Sequence, residues 1–257
     1  MTLGYFRIMK SIFKRNEKKY IISKEQSLDF QEIISKHMEP YHYDNYVVQN
    51  IYYDTENWDL IRASTEKPLY KEKMRLRCYG IPNNESKIFL ELKKKYKGIV
   101  YKYRISIPFN EFSKLPQSSA MNIAATNDSQ VSRELNYFMN KYNVSKKIHI
   151  AYKRTAFTGD IPLELYEKNE LRITFDSDIR FRLDKFDFLI NPDIGTPLLP
   201  KDIVVMEIKT PAIIPLWMAA ALSELKIFPM PFSKYGKCYT GFLIKQPEVN
   251  TKELLSA

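Results

Sequence analysis

The sequence predicts an α+β, mainly β fold, in which an antiparallel sheet forms a single domain with peripheral helices. Aromatic residues make up 14% of the 257 residues and include 18 tyrosines, a composition typical of strands. Several segments alternate apolar and polar residues with the two-residue period of a strand. We find neither an internal repeat nor a linker that would separate two domains. These observations indicate one domain over residues 1–257, with its core at about 15–243.

Five strands and two helices are predicted in the first half of the chain. The strands are placed at 15–23, 46–55, Leu69–Tyr79, Lys87–Lys95 and Ile99–Pro108. Helical spacing predicts a helix at 23–38, with Ser23 as its N-cap, and a short helix at 56–65. The turn-rich segment GIPNNES and the tight turn YKG link the last three strands.

In the second half of the chain, helices and strands are again predicted. Helices are placed at 109–115 and 129–142, on either side of a polar loop, and strands resume at 146–157, 170–183 and 202–210. A further helix is predicted from Pro215 to Leu225, because proline is favoured in the first turn of a helix. Residues 233–244 fit either a helix or a strand.

The charge and composition of the chain limit the kind of partner it can have. A formal charge of +10 and a pI of about 9.3 favour an anion: nucleic acid, a phosphorylated metabolite, a polyanion or a membrane surface. Two cysteines and three histidines argue against a disulfide framework, a zinc site or a multi-histidine metal site. The sequence shows neither a signal peptide nor an apolar run of membrane-spanning length, so we expect a cytoplasmic protein without a membrane span.

Charged residues at positions i and i+2 recur in several predicted strands, and such residues point to the same face. The pairs are Glu17 with Lys19, Arg75 with Arg77, Glu91 with Lys93, Lys102 with Arg104, and Glu207 with Lys209, while Arg154 and Arg172 lie in two further strands. A sheet with one solvated face explains any single pair. Together, however, cations outnumber carboxylates nine to three, and like charges opposite each other across strands are destabilising. A face of one sign is easier to understand if an anion neutralises it.

A closed barrel would turn this charged face into a tunnel. If helices cover an apolar exterior, the cations line the centre, where low-dielectric walls strengthen contacts to phosphate. Arginine suits such a tunnel because its planar fork binds phosphate oxygens bidentately. Glu17, Glu91 and Glu207 would then hold a hard divalent cation that bridges phosphates. The alternative explanation for each glutamate is an ion pair with a neighbouring lysine or arginine.

Nine motifs in one order give the chain a resemblance to a known family. They are EKKY, YYDT, MRLRCYG, FLELKKK, VYKYRISI, YKRTAF, LRITFDSDI, VVMEIKT and FSKYGKC, within a span from about Arg15 to Gly241. In this order they resemble the polyphosphate polymerase domain of the vacuolar transporter chaperone (VTC) proteins, which belong to the CYTH-like triphosphate tunnel metalloenzymes. The resemblance implies a closed antiparallel β-barrel with peripheral helices that binds ATP, polyphosphate or triphosphate together with Mn²⁺ or Mg²⁺ in its tunnel.

The resemblance also implies roles for individual residues. Glu207 would be the main metal ligand, with Glu17 and Glu91 as the further candidates. Catalytic roles would fall to Arg75, Arg77, Lys93, Arg154 and Lys234. Substrate-binding roles would fall to Lys19, Lys102, Arg104 and Arg172, and we group Lys209 with them.

The activity implied by the family is transfer of the γ-phosphate of ATP to a growing polyphosphate chain. Triphosphatase members begin with an acidic-x-acidic-x-Lys pattern, whereas this chain has Arg15 at the first acidic position, which favours the polymerase branch. Hydrolysis of an inorganic or nucleoside triphosphate and non-catalytic polyanion binding stay open as alternatives. Nucleic acid is a weaker option because no recognised nucleic-acid motif occurs. We expect neither the regulatory domain nor the membrane spans of the eukaryotic polymerase here.

Overall fold

A computed structural model of the chain describes residues 9–13, 16–41, 46–66, 68–97, 99–114, 129–160, 170–210 and 213–243. The strands are β1 (Met9–Phe13), β2 (Asn16–Ser23), β3 (Glu39–Pro40), β4 (Tyr46–Asp54), β5 (Tyr70–Tyr79), β6 (Lys87–Tyr96), β7 (Ile99–Pro108), β8 (Ser145–Asp160), β9 (Glu170–Arg182), β10 (Thr196–Pro197) and β11 (Ile203–Thr210). The helices are α1 (Lys24–Ile34), α2 (Asp59–Thr65), α3 (Phe109–Phe112), α4 (Gln130–Tyr142), α5 (Leu216–Glu224) and α6 (Lys234–Cys238), which continues into a π-helical turn (Tyr239–Leu243). The predicted mainly β, antiparallel fold with helices is confirmed.

Most predicted elements occur within a few residues of their predicted bounds. Ser23 caps α1 as predicted: its hydroxyl accepts from the Gln26 amide, and the Gln26 side chain accepts from the Ser23 amide, both at 3.0 Å. The segment at 233–244 is helical over its described residues, and the helix predicted at 109–115 is reduced to α3. Strand β1 was not predicted. Arg15 and residues 116–128 of the predicted polar loop lie outside the described residues.

The sheet follows one order from edge to edge: β1-β7-β6-β5-β4-β8-β9-β11-β2, with β10 paired to β9 and β3 paired to β8. Every pairing is antiparallel. The two edge strands, β1 and β2, are consecutive in the chain and separated only by residues 14–15. Within the described ranges no ladder joins β1 to β2, so the predicted closure into a barrel is not confirmed.

The sheet is strongly curved around the face that carries the predicted charged pairs. Lys93 of β6 and Glu17 of β2 are separated by five strands in the order of the sheet. Their side chains nevertheless approach to 3.9 Å between Lys93 Nζ and Glu17 Oε2. A flat sheet with strands about 4.8 Å apart would hold them far beyond this distance. The charged residues therefore lie on a concave face.

Helices cover the opposite, convex face. Met74, Leu76 and Cys78 of β5 are fully buried in one apolar core together with Leu135 and Phe138 of α4. Each such burial contributes on the order of 1.5–3 kcal/mol relative to an exposed side chain. The alternation in β5 thus places its apolar residues under a helix and its arginines on the concave face, as predicted.

A second core lies where α1 and α5 pack over β2, β9 and β11. It buries Phe30 from α1, Leu222 from α5, and Met206 and Ile208 from β11. Because Glu207 lies between Met206 and Ile208, its side chain points to the other face of the strand. This core therefore fixes Glu207 on the concave face. No helix in the described part of the chain is long and apolar enough to cross a membrane.

A third apolar cluster joins α6 to strands β4, β8 and β9. The Tyr235 hydroxyl of α6 donates a 2.7 Å hydrogen bond to Asp54 Oδ2, and its ring stacks on Tyr52 with centroids 4.8 Å apart. These contacts hold α6 against the sheet. They fix the position of Lys234, the first residue of α6.

Candidate functional site

Glu91 lies at the centre of a group that we call the Glu91 cluster: Glu91, Arg75, Arg77, Lys102 and Arg104. Arg75 and Arg104 are the direct neighbours of Glu91 on β5 and β7, so the strand register brings these side chains together. Arg75 donates from Nε to Glu91 Oε2 at 2.8 Å, and Arg104 donates from Nε to Oε1 at 2.7 Å. Lys102 Nζ lies 2.8 Å from Oε1, and Arg77 Nε lies 4.0 Å from Oε2. Cations therefore approach both carboxylate oxygens.

The electrostatics of the Glu91 cluster keep it charged at neutral pH. The Glu91 side chain is only 3% exposed, and burial would raise its pKa. The surrounding arginines and Lys102 outweigh burial and hold the pKa of Glu91 well below its usual range. Conversely, burial opposes the charge of Arg75, but Glu91 raises the pKa of Arg75. The cluster holds four cations and one carboxylate, so it keeps an excess of positive charge.

Neutral side chains on β4 hold two of these arginines in place. Arg77 donates from Nε to Asn50 Oδ1 at 2.9 Å, and Arg75 donates from Nη1 to the Tyr52 hydroxyl at 3.1 Å. These partners fix the planes of the two guanidinium groups without cancelling their charge. The arrangement suits an oxyanion, which can accept from a preoriented arginine fork.

A second group, the Glu207 cluster, comprises Glu17, Lys19, Lys93, Glu207 and Lys209. In the register of β2 and β11, Glu207 faces Lys19 and Lys209 faces Glu17. Lys209 Nζ lies 2.7 Å from Glu207 Oε1, while Lys19 Nζ lies 3.6 Å from Glu207 Oε2 and 3.5 Å from Glu17 Oε1. Burial would raise the pKa of Glu207, but Lys209 and Lys19 lower it strongly. Glu207 is therefore a carboxylate at neutral pH.

A third group, the Asp176 cluster, joins Arg154 and Lys234 to a carboxylate that the sequence reasoning missed. Arg154 donates to Asp176 through Nε at 2.6 Å and through Nη2 at 2.8 Å. Lys234 Nζ lies 2.5 Å from Asp176 Oδ2. Burial would raise the pKa of Asp176, but Arg154 and Lys234 lower it. Asp176 follows Arg172 by four residues in the motif LRITFDSDI, so the same alternation that singled out Arg172 also marks Asp176.

Two further cations of the concave face lie outside these clusters. Lys73 alternates with Arg75 and Arg77 in the sequence but was not among the predicted site residues; its Nζ lies 3.3 Å from Ser233 Oγ. Burial, with repulsion from neighbouring lysines, lowers the pKa of Lys73 to about 7. Arg172, which was predicted, stacks over the ring of Tyr41 at 4.5 Å. The structure thus brings all the predicted cations of the site to the concave face.

The three predicted metal ligands are not brought into one group. Glu91 lies in its own cluster of cations, whereas Glu17 and Glu207 share contacts to Lys19. In the described part of the chain, no group of three or more His, Cys, Asp or Glu side chains could hold a metal ion. Mg²⁺ in phosphate-transfer sites needs only one or two carboxylates, because substrate phosphates supply further oxygens. Glu207 with Glu17 is the pair of carboxylates that would hold a metal of this kind.

The charge balance of the face shows what it can bind. The three clusters together hold nine cations and four carboxylates. Apart from Lys93, which is 49% exposed, these side chains are buried or half-buried on a concave surface, where charge–charge interactions are screened less than on an open surface. Such a face is suited to a polyanion with several oxyanion groups in a row.

A comparison with solved structures found matches at low sequence identity. HpAC1 from Hippeastrum, described as having a dominant triphosphatase activity, is 14% identical, with 91% of this chain and 96% of that chain covered and a TM-score of 0.49. The PH1819 protein from Pyrococcus horikoshii OT3 is 14% identical, with 90% and 98% covered and a TM-score of 0.42. A Vibrio parahaemolyticus protein is 13% identical, with 96% and 100% covered and a TM-score of 0.42. With TM-scores below 0.5, these likenesses support no conclusion about this chain.

Comparison with families of known proteins is more informative. A search of curated protein sequences finds no significant match. In contrast, the family model of the VTC domain matches residues 14–242, which include the three clusters and nearly all described elements. The motifs that carry the resemblance lie within this span and supply the charged residues of the concave face. The chain therefore belongs to the VTC domain family.

Proposed function

We propose that the concave face binds the triphosphate of ATP and transfers its γ-phosphate to a growing polyphosphate chain. The observation that carries this proposal is the excess of cations on one concave face, with nine cations and four carboxylates in the three clusters. A triphosphate or polyphosphate carries a row of negative oxygens that such a face would neutralise. Membership of the VTC domain family supports the same class of substrate.

The proposal includes a closed tunnel around the bound phosphates. The two edge strands of the sheet are separated by only two residues of chain, and Lys93 contacts Glu17 from the other side of the concave face. Both observations favour closure of the sheet around its charged face. Enclosure would exclude water, strengthen the contacts to phosphate and disfavour hydrolysis of the transferred group.

In the proposed reaction the protein positions phosphates and stabilises charge. The arginines of the Glu91 cluster hold phosphate oxygens, while Lys93, Arg154 and Lys234 stabilise charge on the transferred phosphoryl group. A terminal oxygen of the polyphosphate forms the new bond to the γ-phosphorus. The bond from that phosphorus to the β–γ bridging oxygen breaks, and ADP leaves with the electron pair. This step needs no protein nucleophile.

Glu207, with Glu17, would hold the Mn²⁺ or Mg²⁺ that the family resemblance implies, together with phosphate oxygens. When bound there, the metal would supply Lewis-acid stabilisation of the phosphate charge. The lysines of the Glu207 cluster would orient the two carboxylates, because Lys19 lies within 3.6 Å of both. That the metal is Mn²⁺ or Mg²⁺ stays a prediction.

A second candidate function is non-catalytic binding of a polyanion. It is favoured by one observation: in each described cluster, every carboxylate already contacts at least one cation. A site whose carboxylates all serve as counter-ions would bind phosphate chains without a metal. Hydrolysis of a triphosphate, with water as the acceptor, is the third outcome that an experiment must separate.

Incubation of the purified protein with ATP and Mn²⁺ or Mg²⁺ separates the three functions. We expect a ladder of long polyphosphate on a gel, with matching release of ADP. Free phosphate without a ladder would contradict the polymerase and support hydrolysis. Tight polyphosphate binding without any product, unchanged in Glu207→Gln, would support the binding module. Glu85→Gln, an exposed change in the β5–β6 loop, is the matched control.

A further inference from the structure

Thr174 is a polar residue of the concave face to which neither the sequence nor the proposed reaction gives a role. It lies on β9 between Arg172 and Asp176, and all three side chains share one face because they are two residues apart. The residue is only 2% exposed. Its hydroxyl oxygen has no hydrogen-bond partner among the described residues. Buried polar groups without a partner are rare and call for an explanation.

A second unpartnered atom lies at the neighbouring position of the same face. The Nε of Arg172 is also buried and has no hydrogen-bond partner within the described ranges. Across the strand pair, Thr174 faces Glu207 and Arg172 faces Lys209. The two unpartnered groups therefore lie side by side against the Glu207 cluster.

Chemistry restricts what could satisfy both groups. The Nε of arginine carries a hydrogen and can only donate, so its missing partner is an acceptor. A threonine hydroxyl can donate as well, and one ligand with several acceptor oxygens could meet both donors. Lys209 and Lys19 neighbour this position, and their charge favours an anionic acceptor. A phosphate group has both the acceptor oxygens and the charge.

The alternative, a structural role for the hydroxyl, is weak on the same observations. Valine has nearly the shape of threonine and would fill the same space without a buried hydroxyl. A hydroxyl that meets no partner in the protein destabilises the fold relative to such an apolar substitute. A structural role therefore offers no reason for threonine at this position, whereas contact with a ligand does.

We propose that the Thr174 hydroxyl, next to Arg172 Nε, donates a hydrogen bond to a phosphate oxygen of the bound triphosphate. This inference rests on the proposed function, since it assigns a further substrate-binding residue to the same site. It places one phosphate group against β9 and β11, beside Glu207. Thr174 thereby links the arginines of the face to its candidate metal ligand.

The test measures binding of inorganic tripolyphosphate by titration calorimetry to wild type, Thr174→Val and Thr174→Ser. We expect Thr174→Val to bind about 10- to 100-fold more weakly, as for loss of a hydrogen bond to a charged group, and Thr174→Ser to bind within a few-fold of wild type. Thermal unfolding without ligand supplies the second readout. There, Thr174→Val should unfold at the same or a higher temperature than wild type.

Each other outcome has a defined meaning. Wild-type affinity in Thr174→Val overturns the inference and leaves the proposed function intact. A marked loss of stability in ligand-free Thr174→Val also overturns it, because the hydroxyl would then have a partner inside the protein. If wild-type protein does not bind tripolyphosphate at all, the proposed function and this inference both fail.

Discussion

The Glu91 and Glu207 clusters use the same kinds of side chain on one concave face, yet they differ in how completely the glutamate is satisfied. Glu91 is 3% exposed, and both of its oxygens accept from cations that its neighbouring strands supply. Glu207 is 16% exposed and contacts two flexible lysines. Beside it lie the unpartnered atoms of Thr174 and Arg172.

The difference teaches that equal charge does not give equal roles. Arginine binds a carboxylate through a rigid planar fork, so Glu91 and its arginines form a fixed group. Lysine is a flexible point charge that can release a carboxylate more readily. We interpret Glu91 as the counter-ion that preorganises the arginines proposed to bind phosphate. On the same interpretation, Glu207 is the carboxylate that would remain available for the proposed metal.

The largest expected effect is on stability, in Glu91→Gln. Without its carboxylate, the buried Arg77 and the three half-buried cations of the cluster lose their counter-ion, and breaking a buried ion group costs about 3–5 kcal/mol. We therefore expect the free energy of unfolding in urea to fall by about this amount. Tripolyphosphate should restore part of it, because the anion replaces the lost charge.

Glu85→Gln, in the exposed β5–β6 loop, controls for the loss of one negative charge. A Glu91→Gln protein as stable as this control would show that Glu91 is not the counter-ion of the arginines. The proposed difference between the roles of Glu91 and Glu207 would then be wrong for Glu91.

The next effect is on turnover, in Glu207→Gln. A bound metal supplies several kcal/mol of transition-state stabilisation, so loss of its main ligand should lower metal-dependent product formation roughly 100-fold. We expect a smaller change in stability than for Glu91→Gln, since Glu207 contacts two lysines and is more exposed. Product formation from ATP at varied Mn²⁺ or Mg²⁺ checks this. Unchanged turnover would remove Glu207 as a metal ligand.

A smaller effect is expected from Lys73, which lies between the two clusters. The pKa of Lys73 is lowered to about 7 in the free protein, so the amine is mostly neutral above that pH. A bound phosphate favours the charged amine, and binding above pH 7 therefore requires uptake of a proton by Lys73. Tripolyphosphate affinity should therefore fall from pH 7 to pH 9, by up to about tenfold per unit. Calorimetry at three pH values checks this. Lys73→Met should make the profile less steep, while Lys102, whose pKa is lowered by burial to about 8, keeps part of the slope.

The same shift has a defined sign for stability without ligand. The pKa of Lys73 is lower in the folded protein than in the unfolded chain, so the unfolded chain binds more protons between about pH 7 and the usual lysine range. Wild-type stability should therefore rise relative to Lys73→Met as pH increases through this window. A constant difference between the two proteins would contradict the shifted pKa.

Much of the site could be predicted from sequence because alternation fixes which face a strand residue occupies. Arg75 and Arg77 lie on one face of β5, and Met74 and Leu76 on the other, as the two-residue period requires. Glu207 lies between two buried apolar residues for the same reason. Which face of a strand a side chain occupies is a local property, so it can be predicted from the sequence.

Which side chains contact each other across strands is not a local property, so these contacts could not be predicted from the sequence alone. Glu91 faces Arg75 and Arg104 because of the register of two hairpins. Alternation does not fix this register, since a shift of two residues leaves every side chain on the same face. The approach of Lys93 to Glu17 depends on the curvature of the whole sheet. A role for Thr174 could not be predicted from the charge pattern, because its side chain is neutral. Only the folded structure shows that its buried hydroxyl has no hydrogen-bond partner among the described residues.

The central claim, that the preorganised arginines of the concave face bind a triphosphate, is tested most directly with Arg75→Ala/Arg77→Ala. Titration calorimetry with tripolyphosphate should show affinity reduced by about 100-fold or more, because each arginine loses hydrogen bonds to a charged group. Circular dichroism establishes that the double variant is folded. A folded double variant that binds tripolyphosphate as tightly as wild type would contradict the claim.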